Sequence, residues 1–152
     1  MRIAEVLAPE AVIARLAGTT AAEVLAELSR PVAAATGLVV ARLQQTLLDR
    51  ERLGSTSVGE GVAIPHGRLA DLPALTAAFG RSPEGVDFKG IDGKPVRLFL
   101  VLFAPQAAAS TYVQVLARVS RLFRSPAFRE AILAAPDAVA IRRLIEVEDA
   151  RE

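Results

Sequence analysis

The run Val96-Arg97-Leu98-Phe99-Leu100-Val101-Leu102-Phe103 leaves little choice of architecture. A stretch of this length, with β-branched and aromatic members, reads as a strand buried on both faces, so helices must cover both sides of its sheet. Asp92-Gly93 ahead of it reads as the turn of a hairpin whose short first arm begins near Val86. Leu75 to Arg81 forms a further strand. Val62 to Pro65 forms a short one that places His66 at its end, because proline is tolerated only at strand edges or termini.

The remaining segments supply the covering helices. Near the start, Ile3, Val6, Leu7, Val12, Ile13 and Leu16, interrupted by Pro9, suggest a helical turn followed by a strand or second turn. Thr20 and Glu23 have capping-box spacing, and Val24, Leu28 and Val32 recur on one helical face. Pro31 should kink or end that helix near Ser29, since it lacks an amide hydrogen and crowds the preceding turn. After Gly37, Val40, Leu43 and Leu47 mark a second amphipathic helix reaching about Arg52 and ending before Gly54. Ser110 or Thr111 caps a third with a stripe of Tyr112, Val115, Leu116, Val119, Leu122 and Phe123. Ser125-Pro126 opens a fourth with Phe128, Ile132 and Leu133. A last helix spans about Asp137 to Glu146, with Val139, Leu144 and Ile145 inward. The expected fold is one α/β domain over residues 1–152: a mixed sheet of four or five strands, an antiparallel hairpin at one side, and helices on both faces.

Composition narrows the function. At 152 residues the chain can bury a self-sufficient core. Half its residues are hydrophobic, but no apolar run approaches the ~20 needed to span a bilayer, so no membrane insertion is expected. The N-terminus lacks the features of a secretory signal, and cysteine is absent, which fits a reducing cytoplasm. A formal charge of +1 excludes the footprint of a duplex nucleic-acid binder. One histidine and no cysteine make a metal centre improbable.

That histidine, His66, lies among arginines, glycines and hydroxyls in Gly54-Ser-Thr-Ser-Val-Gly-Glu-Gly61-Val-Ala-Ile-Pro-His66-Gly-Arg68. Three kinds of chemistry are open to it. A hydrolytic triad would recruit Ser55, Ser57 or Asp71, although no nucleophile-elbow spacing surrounds any serine. Proton transfer suits an imidazole with a pKa of ~6.5. The third is covalent: the imidazole acts as a nucleophile and carries a group between partners. A phosphoryl group fits best, because its transfer depends on positioning and charge neutralisation by arginine forks and glycine-rich backbone. Arg50, Arg68, the hydroxyls of Ser55 to Ser57, and Gly67 supply those parts. Arg50 and Arg52 also have a purely structural reading, as cations at the negative end of a helix dipole. No nucleotide-binding fingerprint is present, since no lysine follows the glycine-rich segment.

Residues 47–68 closely resemble the active-site signature of the fructose/mannitol-type enzyme IIA domain of the bacterial phosphoenolpyruvate-dependent phosphotransferase system, and look most like its nitrogen-regulatory branch. The likeness continues through Val86-Asp87-Phe88, Asp92-Gly93-Lys94-Pro95-Val96 and Leu98-Phe-Leu-Val-Leu-Phe-Ala-Pro105. It implies a phosphotransferase component in which His66 accepts a phosphoryl group from an HPr-like phosphocarrier protein, through the ring nitrogen remote from the backbone. Arg50, sixteen residues before it, would bind phosphoryl oxygens. Ser55 and Thr56 match the turn beside the site, and Gly67 lets backbone approach the phosphoryl group. No nucleotide, metal or other cofactor is implied. The phosphoryl group would serve as a regulatory signal or pass to a sugar-specific IIB domain.

One position departs from the pattern. Where the resemblance leads one to expect a histidine opening His-hydrophobic-x-x-Leu, this chain has Tyr112-Val-Gln-Val-Leu116. Tyr112 can donate a hydrogen bond but carries no positive charge near neutral pH; it is either a site residue or packed on the helix stripe. The departure keeps open a binding module that docks partners without taking phosphate. Arg118, Arg121 and Arg124 then mark either a solvated helix face or a contact for an acidic partner.

Overall fold

The computed structural model describes residues 1–151. In chain order its elements are α1 (Ile3–Val6), β1 (Leu7–Ile13), α2 (Ala21–Thr36), α3 (Val40–Arg52), β2 (Ser57–Gly59), β3 (Val62–Ala63), β4 (His66–Leu69), β5 (Thr76–Val86), β6 (Val96–Pro105), α4 (Ala109–Arg124), α5 (Pro126–Ala134) and α6 (Ala138–Asp149). The six strands form one mixed sheet in the order β1-β5-β6-β3-β2, with β4 also pairing with β6.

The apolar run occupies β6 at the centre of that sheet, and every residue from Leu98 to Ala104 is buried. Burial on both faces is visible in the neighbouring strand. Phe79 of β5 stacks on Phe123 of α4 at 6.0 Å, while the adjacent Gly80 faces Leu16 and Leu28 of α2 so closely that a Cβ would lie 2.8 Å from either. Successive strand residues point to opposite faces, so α2 and α4 cover opposite sides.

Several expectations hold. Thr20 and Glu23 form a complete capping box, Ser125 caps α5 with Pro126 at its first position, and α3 runs to Arg52. Others need correction. The helix containing Pro31 does not stop near Ser29; it continues to Thr36 and closes on Gly37, whose φ of 78° is the left-handed conformation that glycine accepts freely. One lost donor is outweighed because Leu28 and Val32, on either side of the proline, are fully buried and hold both halves in line. Neither Ser110 nor Thr111 caps α4, which begins at Ala109 with Ala108 ahead of it and no side-chain cap. Val139 points outward at 78 % exposure, because α6 turns Ile141 and Ile145 inward and a residue two positions earlier lies on the far side.

The sheet also differs in detail. Val86 does not start a separate arm; β5 runs unbroken through it, and Val86 pairs with Val96 of β6. The resulting hairpin lies at the centre of the sheet, since β1 adds in parallel outside β5 and β3 with β4 adds outside β6. The sheet gains a strand because part of the glycine-rich segment pairs as β2, and because Ile64-Pro65 divides the edge beside β6 into β3 and β4.

Arg118 belongs to neither of its expected settings. Its side chain is 16 % exposed, and its Nε donates to the fully buried carboxylate of Asp149 at 2.5 Å. The same carboxylate accepts from the amide of Ala4 at 3.1 Å, so one ion pair joins α4, α6 and α1. Removing one partner of a buried pair strands the other charge. Asp149→Ala should therefore cost roughly 3–5 kcal/mol in denaturant unfolding, whereas Arg143→Ala on the exposed side of α6 should change stability by less than about 1 kcal/mol.

Candidate functional site

His66 opens β4 rather than ending the strand before it. Pro65 has no amide hydrogen to give the ladder, so pairing with β6 breaks after Ala63 and resumes at His66, opposite Leu102. The carbonyl of Pro65 keeps the chain in place by accepting from Leu102 at 2.9 Å. The imidazole turns back toward its own chain: Nδ1 lies 2.7 Å from the carbonyl oxygen of Ile64. A carbonyl only accepts, so Nδ1 carries the hydrogen and Nε2 of the neutral ring keeps its lone pair. Among the described residues nothing hydrogen-bonds to Nε2.

The imidazole faces an open depression of about 460 Å³ lined by Thr46, Asp49, Arg50, Leu53, His66, Gly67, Arg68, Gln106 and Tyr112. The helix α3 delivers Thr46, Asp49 and Arg50, Leu53 follows just past its end, and the first turn of α4 delivers Tyr112. The tyrosine ring stands edge-on to the imidazole at 5.8 Å between centroids. One guanidinium nitrogen of Arg50 donates to the carbonyl of Gly54 at 2.9 Å, just past the helix, and its charge acts on His66. Asp49 is the sole carboxylate among the described residues that line the depression, and it is engaged with Arg52 at 3.0 Å.

Gly67 is needed for a reason beyond access. It lies on the opposite face of β4 from His66, and a Cβ there would stand 2.5 Å from Cγ2 of Thr46. The absence of a side chain is what lets α3 lie against β4 and bring Arg50 to the histidine. Ser55 and Thr56 are not among the lining residues. Ser55 donates to the carbonyl of Phe88 at 3.0 Å, and Thr56 donates through both its amide and its hydroxyl to the carboxylate of Glu51. These contacts fix the turn after α3 rather than facing the imidazole. Asp71 pairs with Arg42 on the surface, away from the depression. Thr46, Asp49, Leu53 and Gln106 complete the lining without having been foreseen; positions 46, 50 and 53 share helical spacing, but Gln106 carries no sequence signal.

The electrostatics suit a neutral nucleophile. Burial, assisted by the positive charge of Arg50, pushes the His66 pKa below its ordinary 6.5, against the opposing bond to Ile64. Burial pushes the Tyr112 phenol up to about 12, so it remains a hydrogen-bond donor throughout the physiological range. No cluster of three or more His, Cys, Asp or Glu side chains among the described residues is placed to hold a metal ion.

The model of the phosphoenolpyruvate-dependent sugar phosphotransferase system EIIA 2 family matches residues 5–147. The chain belongs to that family. A nitrogen regulatory protein of Bradyrhizobium diazoefficiens is 37% identical over 150 residues, which cover 99% of this chain and 98% of that one. The fructose-specific EIIABC component of Bacillus subtilis is 37% identical over 106 residues, 70% of this chain but 17% of that longer protein. Among solved structures, nitrogen regulatory protein IIA-Ntr of Neisseria meningitidis superposes with a TM-score of 0.89 at 32% identity, covering 94% of this chain and 98% of that one. The mannitol IIA of Escherichia coli shares the fold at a TM-score of 0.76 and 22% identity, covering 90% and 96%. Members of the EIIA 2 family are phosphotransferase components. No helix among the described residues is long and apolar enough to cross a membrane.

Three outcomes are expected. Because the chain has one histidine, ¹⁵N NMR of the imidazole reads this site alone. Near pH 7.5 it should show hydrogen on Nδ1 and none on Nε2, with a titration midpoint below 6.5. The folded ring releases its proton more easily than the unfolded one, so stability should fall as pH drops from about 6.5 through that midpoint. Gly67→Ala should cost roughly 1–3 kcal/mol by overpacking against Thr46; adding Thr46→Ser, which removes the clashing methyl, should recover part of that loss in thermal unfolding.

Proposed function

We propose that this chain is a histidine phosphocarrier of the nitrogen-regulatory type, accepting a phosphoryl group on Nε2 of His66 from an HPr-like phosphocarrier protein in the cytoplasm and regulating other proteins by its phosphorylation state. The observation that carries the reading is the bond from Nδ1 to the Ile64 carbonyl, which leaves Nε2 as the lone-pair nitrogen in a depression bordered by Arg50. The regulatory branch is favoured by likeness along nearly the whole length of a nitrogen regulatory protein.

In the proposed step the Nε2 lone pair forms a bond to phosphorus as the phosphorus–nitrogen bond of the donor phosphohistidine breaks, and that bond's electron pair returns to the donor ring. If each ring keeps the hydrogen on its other nitrogen, charge moves from one imidazole to the other and no proton changes hands. The Ile64 carbonyl stabilises the positive charge that His66 acquires. Arg50 neutralises phosphoryl oxygens, and the Tyr112 hydroxyl supplies a neutral donor. Leu53, 84 % exposed at the rim, and Val113, 63 % exposed beside Tyr112, offer apolar surface suited to a protein donor rather than a small solute.

Incubation with phosphoenolpyruvate, enzyme I and an HPr-like carrier should place one phosphoryl group per chain. His66→Gln should abolish it. Arg50→Ala should slow uptake by about tenfold or more, since hydrogen bonds to charged groups contribute about 1.5–3 kcal/mol, with little change in unfolding temperature. A label that survives His66→Gln would contradict the reading, and marked unfolding of Arg50→Ala would favour a purely helix-capping role for that residue. The match to a fructose-specific component favours a second reading, a sugar-type enzyme IIA. Passage of the phosphoryl group from His66 to a IIB domain would select it.

A further inference from the structure

The depression holds a second guanidinium that, among the described residues, has no acidic partner. Arg68 lies two residues after His66 on β4, so both side chains emerge from the same face of the strand. Its guanidinium carbon stands 6.0 Å from the centroid of the Tyr112 ring, at the outer limit of a cation–π contact. The same ring is edge-on to His66 at 5.8 Å. One aromatic plate on α4 thus touches both the imidazole and the neighbouring cation.

The charged and titratable groups around this plate are few. His66 and Arg68 come from β4, Asp49 and Arg50 from α3, and α4 adds the Tyr112 phenol itself. Asp49 is committed to Arg52, and among the described residues Arg68 forms no ion pair with a carboxylate. The positive charges of Arg68 and Arg50 both bear on the phenol, which sets its oxygen within the field of the two guanidinium groups. The arrangement has an excess of positive charge and donors around a lone pair that carries no charge of its own. A dianionic phosphoryl group on Nε2 would balance it.

We propose that Arg68 and Tyr112 form one anion-holding pair, the ring positioning the guanidinium and the hydroxyl donating to the phosphoryl group, so that the site carries a permanent second cation instead of one that comes and goes with pH. This deepens the reading of His66 as phosphoryl acceptor and rests on it. Both residues touch the transferred group, Arg68 through its guanidinium and Tyr112 through its hydroxyl, and the Tyr112 ring also positions Arg68. Arginine keeps its charge at every physiological pH and presents a planar fork to phosphate oxygens. A second imidazole at position 112 would instead be mostly neutral above about pH 7.

The test uses the whole chain and a small-molecule donor, phosphoramidate, so that docking of a carrier protein does not enter. Phosphorylation of His66 is followed by ³¹P NMR between pH 5.5 and 9, and each variant's rate is divided by the wild-type rate at the same pH, which cancels the donor's own ionisation. Arg68→Ala should slow phosphorylation by about tenfold or more across the whole range, with Arg68→Lys recovering part of the loss. Tyr112→Phe should give a ratio below one that does not vary with pH. Tyr112→His should give a ratio that rises as pH falls through about 6.5, where the new ring becomes cationic. Arg68 is exposed, and an unchanged unfolding temperature for Arg68→Ala would exclude a general loss of fold. A wild-type chain that takes no label on His66 would end the phosphocarrier reading and this pair with it. A labelled wild type with Arg68→Ala within twofold of it, or with a flat Tyr112→His ratio, would overturn the pair alone.

Discussion

Everything at the site depends on how one edge of β6 is paired. β6 is buried on both faces and needs partners along both edges, because an unpaired backbone group in that interior is costly. β5 supplies one edge along almost its full length. The other edge is met by two short pieces, Val62–Ala63 and His66–Leu69, with Ile64-Pro65 between them. The Ile64 amide donates to the Thr56 carbonyl on the β2 side, and the Ile64 carbonyl, likewise turned away from β6, meets the imidazole two residues later. The Pro65 carbonyl, which faces β6, is taken by the amide of Leu102, so the Ile64 carbonyl on the other side of the chain is the one left for the imidazole. The backbone therefore selects which ring nitrogen is nucleophilic.

The second requirement is that α3 come close enough to bring Arg50 across β4. Gly67 permits the approach, and the turn after α3 secures it. Glu51 receives the amide and hydroxyl of Thr56, Ser55 reaches the Phe88 carbonyl, and Arg50 holds the Gly54 carbonyl. The hydroxyl-rich segment thus acts on the site through the position of a helix end. Burial of Glu51 pushes its pKa upward against the hydrogen bonds from Thr56, so this anchor combines a desolvation cost with compensating donors.

The central strand, the capping box and the α3 boundary were legible in the sequence because each rests on local pattern. Periodicity finds a buried stripe, and Thr20-x-x-Glu23 specifies a cap without tertiary help. The failures were tertiary. Pro31 was expected to end its helix, but the burial of Val32 beyond it decides otherwise. The outward turn of Val139 depends on which face of α6 meets the core, and a twelve-residue helix with apolar residues on both sides leaves that choice open. Arg118 looked like surface charge because its partner, Asp149, is thirty-one residues away. Arg50, Gly67 and Tyr112 do converge on His66, while Ser55 and Thr56, near it in sequence, spend their hydroxyls on the turn. Gln106 was invisible beforehand, since only the path from β6 into α4 brings it to the depression.

In the proposed phosphocarrier the fold presents Nε2 of His66 as the acceptor nitrogen while Nδ1 stays bound to the Ile64 carbonyl. Phosphorylated protein carrying ¹⁵N-labelled histidine tests it directly through ¹⁵N–³¹P coupling in NMR spectra. Phosphorus should be bonded to Nε2, with a hydrogen retained on Nδ1. Phosphorus on Nδ1, or a stable phosphorylated species with no coupling to either imidazole nitrogen, would contradict it.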